Sequence, residues 1–250
     1  MSSILVEVCC GSLDDALKAA AGGADRIELN SAFFLGGLTP SLGTLQECRE
    51  RINIPLIAMV RPRYGGMCYS EGEFATMLRD AAIFVNAGAA GVVFGFLQPD
   101  GRIDEERTAA MVAALGSREA VFHRAFDLTP DPCEALETLI RLGVKRVLTS
   151  GQKPNVFHAQ DLIKQLIQQA GSRMEVLPGA GLDEYNIQEF IRNTGTTQVH
   201  IAPMGWGGDS SPLGNPAITF GGALYPSEVR YEALDSQTFK RMQEAIAVVK

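Results

Sequence analysis

The chain has 250 residues, of which 46% are apolar and 20% charged, the balance of an ordinary globular protein and not of a long disordered or coiled-coil one. Its formal charge of -7, with no run of Lys or Arg, argues against a nucleic-acid surface, which needs a concentrated basic face. No basic leader precedes Ile4-Leu5-Val6 and no apolar stretch is long enough for a membrane span. A cytoplasmic protein is expected, and five cysteines without C-x-x-C spacing fit reduced thiols there.

Along the chain, short apolar runs begin near Ile4, Arg26, Pro55, Gly91, Ala120, Arg146, Met174 and Gln198, with amphipathic stretches in most of the gaps. The first run, Val6-Glu7-Val8-Cys9, leads to a helix start at Ser12, with Asp15 three residues on. The second carries Arg26-Ile27-Glu28-Leu29-Asn30, and its helix is expected to start at Thr39 with Pro40 in the first helical position. The third ends in Met59-Val60-Arg61-Pro62. Its helix opens on Ser70 with Glu73, and Phe74, Met77, Leu78, Ala81, Phe84 and Val85 recur at the spacing of a face turned to a sheet.

Gly22-Gly23, Gly88 and Gly143 fall between a helix and the next run, where a left-handed cap favours glycine. The fifth run leaves as Phe122-His123-Arg124-Ala125-Phe126-Asp127, the sixth as Val147-Leu148-Thr149-Ser150-Gly151, and the eighth as Val199-His200. The seventh ends in Pro178-Gly179-Ala180-Gly181, with Asp183 ahead of Ile187, Phe190 and Ile191 as a helix start. From Pro203 to Leu234 the chain is rich in Gly, Pro and Ser, contains the sole tryptophan, Trp206, and shows no period. It reads as a lid or contact arm, or as a surface excursion, before a last helix from about Asp235.

Eight strand-helix units in this length predict an α/β chain forming a single (β/α)8 TIM barrel over residues 1–250, with a long segment after strand eight and a C-terminal helix. A doubly wound open sheet is the alternative. It is weakened because Cys9-Cys10-Gly11-Ser12 stands where a G-x-G-x-x-G turn would be.

In a barrel the strand tips converge on one mouth, so the polar tips become site candidates. Glu7, Glu28 and His123, with Asp127, are candidates for acid/base catalysis, and Arg61 could clamp an anion. Arg124, Ser150 and His200, together with Gly179 and Gly181 of the glycine-rich turn, are candidates for substrate or anion binding. The same imidazoles and carboxylates could instead hold a divalent metal. For a soft ion, Met67-Cys68 is the one soft pair on an expected loop, while Cys48 and one of Cys9 or Cys10 read as packing.

Thr39-Pro40-Ser41, Arg61-Pro62-Arg63, Cys68-Tyr69-Ser70-Glu71, the Phe122–Asp127 segment, Arg146 through Gly151 and Pro178 through Gly181 together resemble the CutC family of copper homeostasis proteins. The resemblance spans nearly the whole chain in order. It implies a TIM barrel, a cytoplasmic homo-oligomer and copper as a ligand. Asn30 stands where the family pattern has a cysteine, and His200-Ile201-Ala202-Pro203 where it has H-x-S-A. Beside a copper-binding protein, the residues leave open an isomerase- or lyase-type enzyme acting on a small polar or anionic metabolite.

Overall fold

Eight short parallel strands alternate with helices in the computed structural model, which describes residues 4–215, 217–218 and 230–249. In chain order they are β1 Leu5–Cys10, α1 Leu13–Ala21, β2 Arg26–Leu29, α2 Leu42–Arg51, β3 Leu56–Met59, α3 Glu71–Asn86, β4 Gly91–Phe94 and α4 Glu105–Leu115. There follow β5 Glu119–Phe122, α5 Pro132–Arg141, β6 Arg146–Thr149, α6 Gln160–Ala170, β7 Glu175–Pro178, α7 Ile187–Thr194 and β8 Gln198–Ile201. The strands lie in the order β7-β6-β5-β4-β3-β2-β1-β8, every named pair parallel. The ring closes between β7 and β8 through a single bridge, Gly179 to His200. This is the TIM barrel expected from the repeat, and the closure excludes the open doubly wound sheet.

Strand alternation sorts the side chains into two layers. Val6, Val8, Cys10, Ile27 and Leu29 point outward into the large core shared with the helices, among them Cys48 from α2. Ile57, Met59, Val93 and Val121 point inward and form a separate apolar plug in the lumen. Beneath the plug a charged layer crosses the floor: Arg146 pairs with Glu119 at 2.9 Å and Glu175 at 2.7 Å, and Arg26 reaches Gln198 at 3.0 Å and Glu7. The plug separates this charged floor from the strand tips above it.

Helix starts follow local chemistry. The Ser12 hydroxyl accepts from the Asp15 amide, and Ser70 with Glu73 completes a capping box. The second helix departs from the expectation: Ser41, not Thr39, is its cap, accepting from the Thr44 amide at 3.1 Å. Thr39 is held elsewhere, because its hydroxyl accepts from the Arg61 amide at 2.9 Å and its own amide donates to the Arg61 carbonyl. Asp183 accepts from the amides of Tyr185 and Asn186 and leads into α7 one turn ahead of its first residue.

The tail also departs from the expectation at its ends. Met204–Gly208 (β9) and Arg230–Leu234 (β10) pair antiparallel, Trp206 opposite Glu232. Much of the expected unpatterned segment lies outside the described residues. The hairpin is tied to the barrel at Asp15, buried in α1, whose carboxylate accepts from the Leu234 amide at 2.7 Å. The final helix, α8 Ser236–Ala247, packs between α7 and α1, with Arg241 on Glu184 and the Gln243 amide on the Gly23 carbonyl.

Candidate metal and ligand site at the barrel mouth

Above the apolar plug the C-terminal strand ends enclose a cavity of about 320 Å³, lined among others by Cys9, Glu28, Asn30, Arg61, His123 and His200. Register explains why they meet. Cys9 is paired with Glu28, and Glu7 with His200, so the period of two that turns Glu7 inward also turns Cys9 inward one layer higher.

The β1, β2 and β8 side carries the donor cluster. One ligand atom each of Cys9, Glu28 and His200 lies within 4.8 Å of the other two, all three residues buried. The Asn30 amide donates to Cys9 Sγ at 3.0 Å and to Glu28 Oε2 at 3.2 Å, and the Cys9 thiol donates to the same Glu28 oxygen at 3.3 Å. Glu7 lies behind, its Oε1 accepting from His200 Nδ1 at 2.8 Å and its Oε2 from Arg26. That bond occupies Nδ1, so Nε2 is the ring nitrogen left to take a ligand. A carboxylate behind a ligating histidine fixes its tautomer and ring plane.

Burial sets the protonation states. For Glu7, burial opposes ionisation but is outweighed by the His200 hydrogen bond and the Arg26 charge, and its pKa falls to about 2. For His200, burial disfavours the cation, yet the Glu7 bond and the Glu28 charge carry the pKa above the ordinary histidine value. Burial raises the pKa of Glu28, helped by Glu7 and opposed by His200. Burial, then Glu28, pushes the Cys9 thiol well up, so without a cation it stays protonated.

The β3 and β5 side differs. His123 Nδ1 accepts from the Ala125 amide at 3.1 Å, which fixes the neutral tautomer with the proton on Nε2. Burial, then the Arg61 charge, lowers its pKa to about 3, so the ring is neutral and presents an N–H. Arg61 has its terminal nitrogens on the carbonyls of Leu35 at 3.0 Å, Gly37 at 2.9 Å and Gly65 at 3.0 Å. It therefore organises two loops, and Nε is the one guanidinium nitrogen left without a partner, in place of the bidentate fork its sequence suggests.

Other predicted residues have structural partners. The Asp127 carboxylate accepts from Arg124 Nε, the Ser150 amide and hydroxyl, the Thr149 hydroxyl and the Gln152 amide, and thereby ties the β5 exit to the β6 exit. Arg124 reaches Ser150 Oγ at 2.8 Å while lining the cavity edge. Neither Asp127 nor Ser150 lines the cavity. Gly179 serves the seam: a Cβ there would lie 2.9 Å from His200 Cβ. Gly181 lines the mouth at φ +82, with Asn155 filling the space a side chain would need. Cys68 is exposed and outside the cavity, whereas Met67 lines it, so the expected soft pair is divided. Cys9 and Asn30 are the contributors missing from the sequence-based candidates.

A family model described as the CutC family matches residues 4–205. The chain belongs to the CutC family. A CutC family protein of Treponema denticola is 48% identical over 240 residues, covering 95% of this chain and 98% of that one. The human copper homeostasis protein cutC homolog is 40% identical over 234 residues, covering 94% and 86%. A crystal structure from Streptococcus agalactiae, assigned as a copper homeostasis protein CutC, superposes with TM-score 0.75 at 30% identity over 79% of this chain and 97% of its own. Phosphoribosylanthranilate isomerase from Thermotoga maritima, at TM-score 0.55 and 12% identity over 98% of this chain and 99% of its own, shares the CutC barrel fold alone.

Proposed function

We propose that this CutC-family chain acts in copper homeostasis in a reducing cytoplasm by holding one copper ion at Cys9, Glu28 and His200, with Glu7 positioning the imidazole. The carrying observation is the buried sulfur, oxygen and nitrogen donor set within 4.8 Å, backed by the 2.8 Å bond from His200 Nδ1 to Glu7. The set fits copper: a thiolate suits the cuprous ion, and imidazole with carboxylate suits the cupric ion. The family's usual thiol after β2 is replaced by Asn30, which supports the donor set as a hydrogen-bond donor to sulfur.

Binding must remove the Cys9 proton, so affinity rises with pH until the thiol no longer needs to be deprotonated. Anaerobic titration of metal-stripped protein with Cu(I) against a competing chelator tests the site. One equivalent should bind, and Cys9→Ser should remove most of the affinity. Glu7→Gln should cost about tenfold to a hundredfold, as for other residues that orient a ligand, and Cys68→Ser should change nothing. Equal affinity in the wild type and Cys9→Ser would exclude this site.

A further inference from the structure

Of seven buried side-chain polar atoms without a hydrogen-bond partner among the described residues, four belong to this one cavity: Glu28 Oε1, Asn30 Oδ1, Arg61 Nε and His123 Nε2. The others lie at Thr108 and within the Glu119–Arg146 ion pair, which remains a charge contact at 2.9 Å. Four orphaned atoms at one place are costly, because each loses its water without gaining a partner.

Their chemistry is sorted. Arg61 Nε and His123 Nε2 are both donors, and Arg61 carries a buried positive charge that, among the described residues, meets neutral carbonyl oxygens and the Tyr69 hydroxyl but no carboxylate. Glu28 Oε1, on β2, and Asn30 Oδ1, just past its end, are the other two, and Asn30 Oδ1 can only accept. The cavity, at about 320 Å³, is at the small end of ligand pockets, which run from about 300 to 1,000 Å³.

We infer that the mouth contains a subsite for a small hydroxycarboxylate, whose carboxylate takes the Arg61 Nε–H and His123 Nε2–H while its hydroxyl donates to Asn30 Oδ1 or Glu28 Oε1. A carboxylate matches two donors and supplies the missing counter-charge. A phosphate would leave further oxygens unpaired, and a neutral ligand would leave the guanidinium uncompensated. The subsite uses atoms that the copper reading leaves free, apart from the shared Glu28 carboxyl group, and it stands without that reading.

The test is calorimetric titration of metal-stripped protein, dialysed free of chelator, with L-malate, succinate, acetate and inorganic phosphate. Malate should bind more tightly than succinate, which lacks the hydroxyl, and more tightly than acetate or phosphate. His123→Asn can keep an acceptor for the Ala125 amide while losing the distal N–H, and should weaken malate by about tenfold or more. Asn30→Ala, a second variant should the first not fold, should erase the preference for malate over succinate. Cys9→Ser should lose copper and keep malate, and His123→Asn should do the reverse, so the two sites fail separately. Malate no better than acetate in the wild type, phosphate preferred over malate, or an unchanged malate affinity in folded His123→Asn would overturn the proposal.

Discussion

At Glu7 one carboxylate answers both Arg26 and His200, and the shifted pKa values of Glu7, His200 and His123 shape how the fold responds to pH. The Glu7 pKa lies near 2, below its ordinary 4.5, so its stabilisation is present above 4.5 and is lost as pH falls through about 2. His200 is shifted up, so its contribution is full below 6.5 and is lost as pH rises through its folded value. His123 has the opposite sign: buried neutral with a pKa near 3, it destabilises the fold progressively as pH falls from 6.5 toward 3. Glu7→Gln should therefore cost about 3–5 kcal/mol near neutral pH, by leaving Arg26 without its buried partner, and should flatten both the loss above 6.5 and the loss below 4.5. Chemical denaturation across pH measures all three. Glu7, Glu28, His123 and His200 are legible in the sequence because a charge inside an apolar run has only the lumen to face. Cys9 follows from the same alternation as Glu7, but thiols are common in cores and carry no signal of their own. The saturation of Asp127 by five donors was not legible, since it depends on a loop more than twenty residues away.

Among the elements, β4 and β7 support the mouth through glycines where strands crowd the site. A Cβ at Gly95 would lie 2.4 Å from His123 Cε1 and 2.6 Å from its Nδ1, so the chain leaving β4 sets where the imidazole sits. Gly95→Ala should push the ring out of register with the Ala125 amide. It should lower stability by about 1–3 kcal/mol, the usual cost of overpacking, and abolish malate binding even where circular dichroism reports an intact barrel. Helix starts were legible where the cap and its partner stand three residues apart, as at Ser12 and Ser70. Thr39 misled because a hydroxyl before proline has the composition of a cap, and only tertiary contact assigns it to the Arg61 backbone. The β9–β10 hairpin was hidden for another reason. Met204-Gly205-Trp206-Gly207-Gly208 has too few side chains to show an alternation, and its partner strand is distant in sequence.

For the molecule as a whole, eight repeats of one unit made the barrel predictable, since strand starts are within a residue of the apolar runs that announced them. The closing arrangements needed coordinates. Asp15 joins the first helix to the last strand, and Asp15→Ala should cost about 1–3 kcal/mol by orphaning the Leu234 amide. Trp206, the chain's single indole, sits on that hairpin, so its emission should begin to change at lower denaturant than the helical signal in the variant and together with it in the wild type. The seam has a further consequence. His200 is at once a member of the donor cluster at the mouth and the residue through which β8 meets β7, so the ring's thinnest join lies inside that cluster. A cation drawn to His200 would fasten the hoop at its clasp, and occupancy should be readable as slower amide hydrogen exchange along Glu175–Pro178 and Gln198–Ile201, far beyond the atoms that touch the ion.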